Sequence, residues 1–352
     1  YKGLIVVGLS AVLHLVAEAG SAKIDGRTWY YESWGTSATI TSVSPNDGDV
    51  VIPSSIDSLP VTGIGSDAFW KCSKLTSVSI PDGVTRIANF AFYGCSSLKS
   101  VLIPDSVTYI GSSAFGYCSS LKSFEIPSGV KNLYDDTFLF CTDLTTISIP
   151  DGVRNIGSAV FHHCTNLTSV TIPNSVTNIG GLAFYACTSM KSIDISDSLE
   201  SIGGECFGGC WSLTSVKIPD SVTSIGDFAF DTCRSLTSVV LPKNLSCIDA
   251  WTFEFCGALK EITIPDSVVD IKRRAFYECR SLASFEIPNS VTNVGQGAFQ
   301  YCTNLTSVVI PRSVECIGYQ AFLDCGNLRI VSVLCGDKER VSAMLTESDL
   351  SF

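Results

Sequence analysis

Twelve cysteines recur every 23 residues, from Cys72 to Cys325, and the interval never slips. A phenylalanine precedes each of them by three residues, from Phe69 to Phe322. A fixed period of this length is the mark of stacked, near-identical coils, each touching only its neighbours. Such a stack grows along one axis, so 352 residues do not require two or three globular domains. It also repeats the same side chains on every coil. That leaves no centralised pocket and argues against an enzyme.

One unit, Leu213 to Cys233, shows how a coil is built. Val216 and Ile218 alternate with polar neighbours, the period of a half-buried strand. Pro219 ends that strand because it has no N–H to give a ladder. Asp220-Ser221 supplies turn chemistry. Val222 and Ile225 return inward, and Gly226 is expected in a left-handed or tightly packed position. A short helical turn is expected to carry Phe230 and Cys233 inward on one face. The other copies agree. Three residues after the cysteine stands Leu in eleven copies and Met190 in the twelfth; six after stands Val, Ile or Phe; eight after, Ile, Leu or Val. Pro follows in ten of twelve, failing at Ser196 and Leu334.

The motif L-x-x-V-x-I-P-x-x-V-x-x-I-G-x-x-A-F-x-x-C, clearest in 98–118 and 305–325, resembles the leucine-rich repeat of the BspA-like class of bacterial surface proteins, also found in a spirochaete and in parasitic protists. The segment 50–69 resembles the first repeat of that class, with extra residues around Pro60. The resemblance implies an α/β solenoid, curved and right-handed. A parallel β-sheet would line its inner face, with short helices or turns on its outer face. On this reading residues 1–22 are a secretory signal peptide, 23–64 an N-terminal β cap with the opening repeat, 65–334 about twelve coils, and 335–352 a C-terminal cap. The leader rests on Lys2, the apolar run Leu4–Val16 and the small-x-small site Ala17-Glu18-Ala19. In the C-terminal segment, Asp337 is placed to cap a helix whose Val341, Met344 and Leu345 would shield the last coil.

A net charge of −11 argues against nucleic acid and against anionic membrane surfaces, both of which need clustered Lys and Arg. Sixteen cysteines in an exported chain raise the question of disulfides. The ladder cysteines, however, occupy apolar-periodic slots beside Phe, where a thiol behaves as a small hydrophobe. Buried free thiols are therefore the preferred reading, with bridges between neighbouring coils the competing one. A straight ladder offers no converging set of four zinc ligands. His162-His163 reads as a surface substitution rather than a metal pair, and the post-proline Asp82, Asp105, Asp151, Asp220 and Asp266 read as turn formers rather than a calcium row. No cofactor motif is present, and no nucleophile–base pair is evident.

Specificity in such a fold lies in slots that vary between coils. The first candidate surface is the outward slot of the inner strand, where Leu102, Glu125, Asp194, Lys217, Val240, Glu286 and Val309 stand among Ser and Thr. The second is an outer row of Trp70, Tyr93, Tyr117, Tyr185, Tyr277 and Tyr301. Aromatics there serve protein or sugar contacts when exposed; packing between successive turns is the plain alternative. The resemblance implies a secreted or cell-surface protein that binds a protein partner and acts in adhesion to host or neighbouring cells. Carbohydrate binding by the outer row is the second possibility.

Overall fold

The computed structural model describes residues 17–333. The chain starts with an antiparallel meander, β1 (Glu18–Ile24), β2 (Arg27–Ser33) and β3 (Ala38–Ser44). The β1–β2 turn is Asp25-Gly26, both at positive φ (51° and 79°), as a two-residue hairpin turn of primed type requires. Two strand pairings join this cap to the solenoid. β4 (Gly48–Val51) pairs parallel with Leu75–Ser79. β6 (Leu59–Ile64) pairs parallel with both β3 and Arg86–Ile87, and antiparallel with β5 (Ser55–Ile56). The extra residues around Pro60 are this β5–β6 hairpin, turning at Asp57-Ser58 with both φ positive. The first described strand therefore begins at Glu18. Residues 18–22, assigned to the leader from sequence, pair with Glu32 to Trp29 and Ser33 of β2 as part of the cap edge. The remainder of the leader reading and the 335–352 cap lie outside the described residues.

Each coil contributes two parallel strands and a turn region, except the coil around residues 260–264, whose longer segment forms no strand. A longer strand such as Ser215–Lys217 lies in one sheet, and a two-residue strand such as Ser224–Ile225 lies in a second. Strand partners are always 23 residues apart: Thr171 with Asp194, Lys217 with Val240, Ile202 with Ile225. Side chains of Leu, Val and Ile point in and their polar neighbours out, as the sequence alternation requires.

The turn region corrects one expectation. No helix forms among the described residues; the third side of each coil is a run of turns. The reason lies in where the N–H groups go. Within one coil, the N–H groups of Ala68, Trp70 and Cys72 donate three residues back, to Gly65, Asp67 and Phe69. The alternate ones, Asp67, Phe69 and Lys71, donate instead to Asn89, Ala91 and Tyr93 of the next coil. An α-helix would send every N–H back to its own fourth-preceding carbonyl. Here every second donor belongs to the neighbour. The alternation needs left-handed residues five and one positions before each cysteine, such as Phe228 (φ 58°) and Thr232 (φ 55°). Most of these are not glycine, so each coil holds backbone strain that the stack must over-determine.

The core is a set of columns. The Phe rings from Phe69 to Phe322 stack in eleven consecutive pairs at centroid separations of 4.8–5.9 Å. Each ring is at most 1% exposed. Beside them, each thiol from Cys95 to Cys325 donates to the carbonyl of the phenylalanine in the preceding coil, at 3.1–3.3 Å. That carbonyl also accepts the N–H of its own coil's cysteine, as Phe92 does from Cys95. The cysteine slot thus takes a small apolar side chain that retains one weak donor.

All fifteen described cysteines are free. Burial pushes the thiols of Cys118, Cys141, Cys164, Cys187, Cys210, Cys233, Cys256, Cys279 and Cys302 up, Cys141 and Cys210 to about 12, so these are protonated and inert at neutral pH. Only Cys316 is exposed and Cys247 partly so. Alkylation of the native protein followed by peptide mapping is therefore expected to label Cys316 and Cys247 within the described region. The ladder cysteines should label only after unfolding.

Candidate functional site

The outward strand row is brought together as the sequence reading requires. Glu125, Asp194, Lys217 and Glu286 are exposed, Leu102 and Val240 are 68% and 56% exposed, and Val309 is half-buried. The parallel registers place Leu102 beside Ser79, Glu125 beside Ser148, Asp194 beside Thr171, Lys217 beside Val240, and Glu286 beside Val309.

The long-strand sheet is interrupted. Its hydrogen-bonded groups break between Ser100–Leu102 and Ser123–Glu125, between Thr146–Ser148 and Ser169–Ile172, and between Ser192–Ile195 and Ser215–Lys217. Residues 260–264 form no strand at all. Three clefts lie along these breaks, one of them spanning two. The largest, about 720 Å³, is lined by Ser148, Thr171, Asp194 and Lys217 together with Asp151 and Asp197. A second, about 600 Å³, lies around Val240, Glu261, Thr263 and Glu286. A third, about 580 Å³, lies around Asp105, Glu125 and Ser148.

Two columns flank this row, and the basic one escaped the sequence reading. Four residues after the cysteine, at one border of the strand face, stand Lys99, Lys122, Lys191, Lys260 and Arg329, all exposed. Ten residues after it, at the other border, stand Asp82, Asp105, Asp151, Asp197, Asp220 and Asp266, also exposed. Six residues of extended chain separate the columns, roughly 20 Å. The face therefore carries spaced Lys and Arg among Thr along one side, hydroxyls in the middle, and mainly Asp along the other, where Lys243 and Arg312 also stand. Reading every slot down the repeat would have found the basic column. Asp197 was missed because Ser196 replaces the proline that flagged the acidic row.

The outer aromatics are placed on the turn region, but largely against each other. Tyr93 and Tyr117 lie 5.2 Å apart, Tyr117 stacks on Phe140 at 4.8 Å, Phe140 on His163 at 4.4 Å, and His162 on Tyr185 at 5.2 Å. Tyr277 meets Phe255 and Tyr301 edge-on and carries the Arg274 guanidinium at 4.8 Å. Trp70 and Tyr117 are exposed, whereas Tyr93, Tyr185, Tyr277 and Tyr301 are half-buried. Packing between turns thus uses most ring faces that a sugar would need. His162 and His163 join this stack with their Nδ1 atoms 2.9 Å apart. Burial lowers both, His162 to about 4 with His163 adding to the effect, so the pair is neutral at pH 7. No group of three or more His, Cys, Asp or Glu among the described residues is arranged to hold a metal ion.

Two carboxylates in adjacent coils share the slot two before the cysteine. Burial, then the charge of Glu205, pushes Asp231 up to about 6; burial, then the charge of Asp231, pushes Glu254 up to about 7 despite Arg274 at 4.0 Å. A raised carboxylate binds its proton more tightly in the folded state. It favours folding fully below its ordinary value of 4.5, and that contribution is lost as pH rises through about 7. Glu254→Gln is therefore expected to stabilise the protein at pH 8 by about 1–2 kcal/mol after allowing for solvent screening. The gain should shrink to nothing by pH 4.5, and paired denaturant melts at the two pH values measure it.

These features define a parallel-strand solenoid of leucine-rich-repeat type. The chain belongs to the BspA type leucine rich repeat family, whose model matches residues 62–189, 155–282 and 223–340. That family consists of repeat scaffolds, and it indicates no catalytic class. Among solved structures, the chain is similar to a leucine-rich repeat protein from Bacteroides ovatus, at 28% identity and a TM-score of 0.64, over 88% of this chain and 94% of that one. It is also similar to a leucine rich cell surface protein from Faecalibacterium prausnitzii, at 26% identity and a TM-score of 0.51, over 95% and 99%. The pneumococcal vaccine antigen PcpA, 18% identical with a TM-score of 0.56 over 94% and 96%, shares the fold. No curated protein matches the chain in sequence. No helix among the described residues is long and apolar enough to cross a membrane.

Proposed function

We propose that this chain is an exported, non-catalytic recognition protein that binds a protein partner along its strand face, at or beyond the cell surface, in adhesion or host contact. The observation that carries this reading is the run of clefts at the breaks of the long-strand sheet, set between a border with spaced Lys and Arg and a mainly acidic one. Parallel sheets are normally covered on both faces. Here one face presents exposed Leu102 and Val240 among charged and hydroxyl groups, the mixture found where proteins dock. Opposed charged borders favour a partner of matching polarity and fix its orientation. Export rests on the apolar run Leu4–Val16 and on likeness to a protein described as a cell surface protein. The ring-on-ring packing of the outer aromatics makes sugar binding the weaker reading.

The test is capture of surface proteins from host or neighbouring cells by the purified chain, compared with a triple variant Glu125→Lys, Asp194→Lys, Lys217→Glu. Reversing these exposed charges should leave folding intact and weaken capture by at least about tenfold, the effect of 1.4 kcal/mol. Unchanged capture by a folded triple variant would move the site off the strand face.

A further inference from the structure

A second site lies on the turn region, away from the strand face. One residue after the cysteine, four consecutive coils carry Trp211, Arg234, Gly257 and Arg280. The glycine leaves a gap between two arginines. A Cβ built at Gly257 meets nothing within 4 Å, and its φ is not in the left-handed region. Neither packing nor backbone geometry calls for glycine here. The gap opens a notch of about 360 Å³ lined by Arg234, Phe255 and Arg280, with Thr232 and Glu278 at its sides. Phe255, in its lining, is 38% exposed.

Both arginines have a partner that restrains them. The Arg234 guanidinium lies 5.0 Å from the Trp211 ring centroid, one coil away. It makes no ion pair among the described residues. Arg280 is braced by Glu278 at 2.6 Å. The two stand two coils apart, roughly 10 Å, the span of one side chain laid between them. The planar fork of arginine matches a carboxylate in two parallel hydrogen bonds, and the exposed ring offers an apolar face beside it. The geometry points to a docking site for an acidic peptide segment, in which one carboxylate meets Arg234, a second meets Arg280, and the apolar side chain between them covers Phe255. Glu254, Glu278 and Asp231 lie close by in the same coils, so a long polyanion is repelled where a short segment with one or two carboxylates is accepted.

The probe is the capped tripeptide Glu-Phe-Glu, with Gln-Phe-Gln as its neutral counterpart, titrated calorimetrically into the whole chain at low salt. The arginine Nε–H signals of residues 234 and 280 report the site by NMR. The acidic peptide should bind with Kd of about 1 mM or tighter and shift both signals. Gly257→Leu, which fills open space, should abolish that shift while the melting temperature stays unchanged; Arg234→Gln with Arg280→Gln should weaken binding at least about tenfold. Equal binding of the neutral peptide, unchanged binding in Gly257→Leu, or no binding at millimolar peptide each overturns the proposal. Tighter binding of a heparin oligosaccharide at the same two signals would overturn the peptide assignment.

Discussion

Replacing Phe207 by alanine is expected to destabilise the protein by about 3–5 kcal/mol, the range for a fully buried aromatic whose cavity cannot collapse. Phe207 is 0% exposed and stacks on Phe184 at 5.6 Å and on Phe230 at 5.3 Å. The walls of the resulting hole are two coils held apart by strand ladders and turn-region hydrogen bonds, so they cannot close on it. Because stability in a stack is a sum of coil and interface terms, the loss falls on two interfaces at once. Urea unfolding should therefore separate into two transitions, one for each half of the stack. Phe322→Ala provides the comparison. Its ring stacks on Phe299 alone among the described residues, so its cost should be clearly smaller and its unfolding should keep a single main transition. Equal costs for the two variants would contradict additive coil interfaces.

Gly203→Ala is expected to cost about 1–3 kcal/mol by overpacking. The added Cβ would lie 2.4 Å from the Gly181 nitrogen, 2.5 Å from the Gly180 carbonyl carbon and 2.8 Å from the Gly181 Cα. All three are backbone atoms of the preceding coil, and the Gly203 N–H is bonded to Ile179 O at 2.9 Å. Relief would require pulling two coils apart. Gly257→Ala, with open space around it, should fall within about 0.5 kcal/mol of the parent. Thermal melts of the two variants side by side test whether close approach between coils, rather than backbone freedom, holds glycine in this slot. Gly226 of the same slot gives the same answer: its φ is not left-handed, and its Cβ would meet Gly204 N at 2.5 Å.

Much of this architecture was legible in the spacing. A column such as Phe69 to Phe322 repeats because each member packs on copies of itself, so register and inward residues follow from counting. The turn region was not legible in the same way. Phe230 and Cys233 at i, i+3 fit a helical turn as well as the alternating donors found, because both bring those side chains to one face. The difference lies in N–H groups, which side-chain identity does not report. Left-handed Phe228, Trp251 and Tyr301 gave no warning either, since glycine seldom marks the position. On the strand face, the variable row from Leu102 to Val309 was readable slot by slot. The breaks between strands depend on how far neighbouring coils splay, and no single residue encodes that distance.

The alternating donors on the turn region carry a consequence for how such a chain can vary. The backbone and cysteine bonds that cross between coils fall at offsets of 22, 23, 24 or 26 residues, as Phe207 N to Ala229 O, Ile202 to Ile225, Gly203 N to Ile179 O and Cys233 Sγ to Phe207 O illustrate. Removing or duplicating a block of one full period restores every such partner with an equivalent atom from another coil. The molecule behaves as a ruler that can be cut or extended in whole notches, and its reach can change without a new fold having to be found.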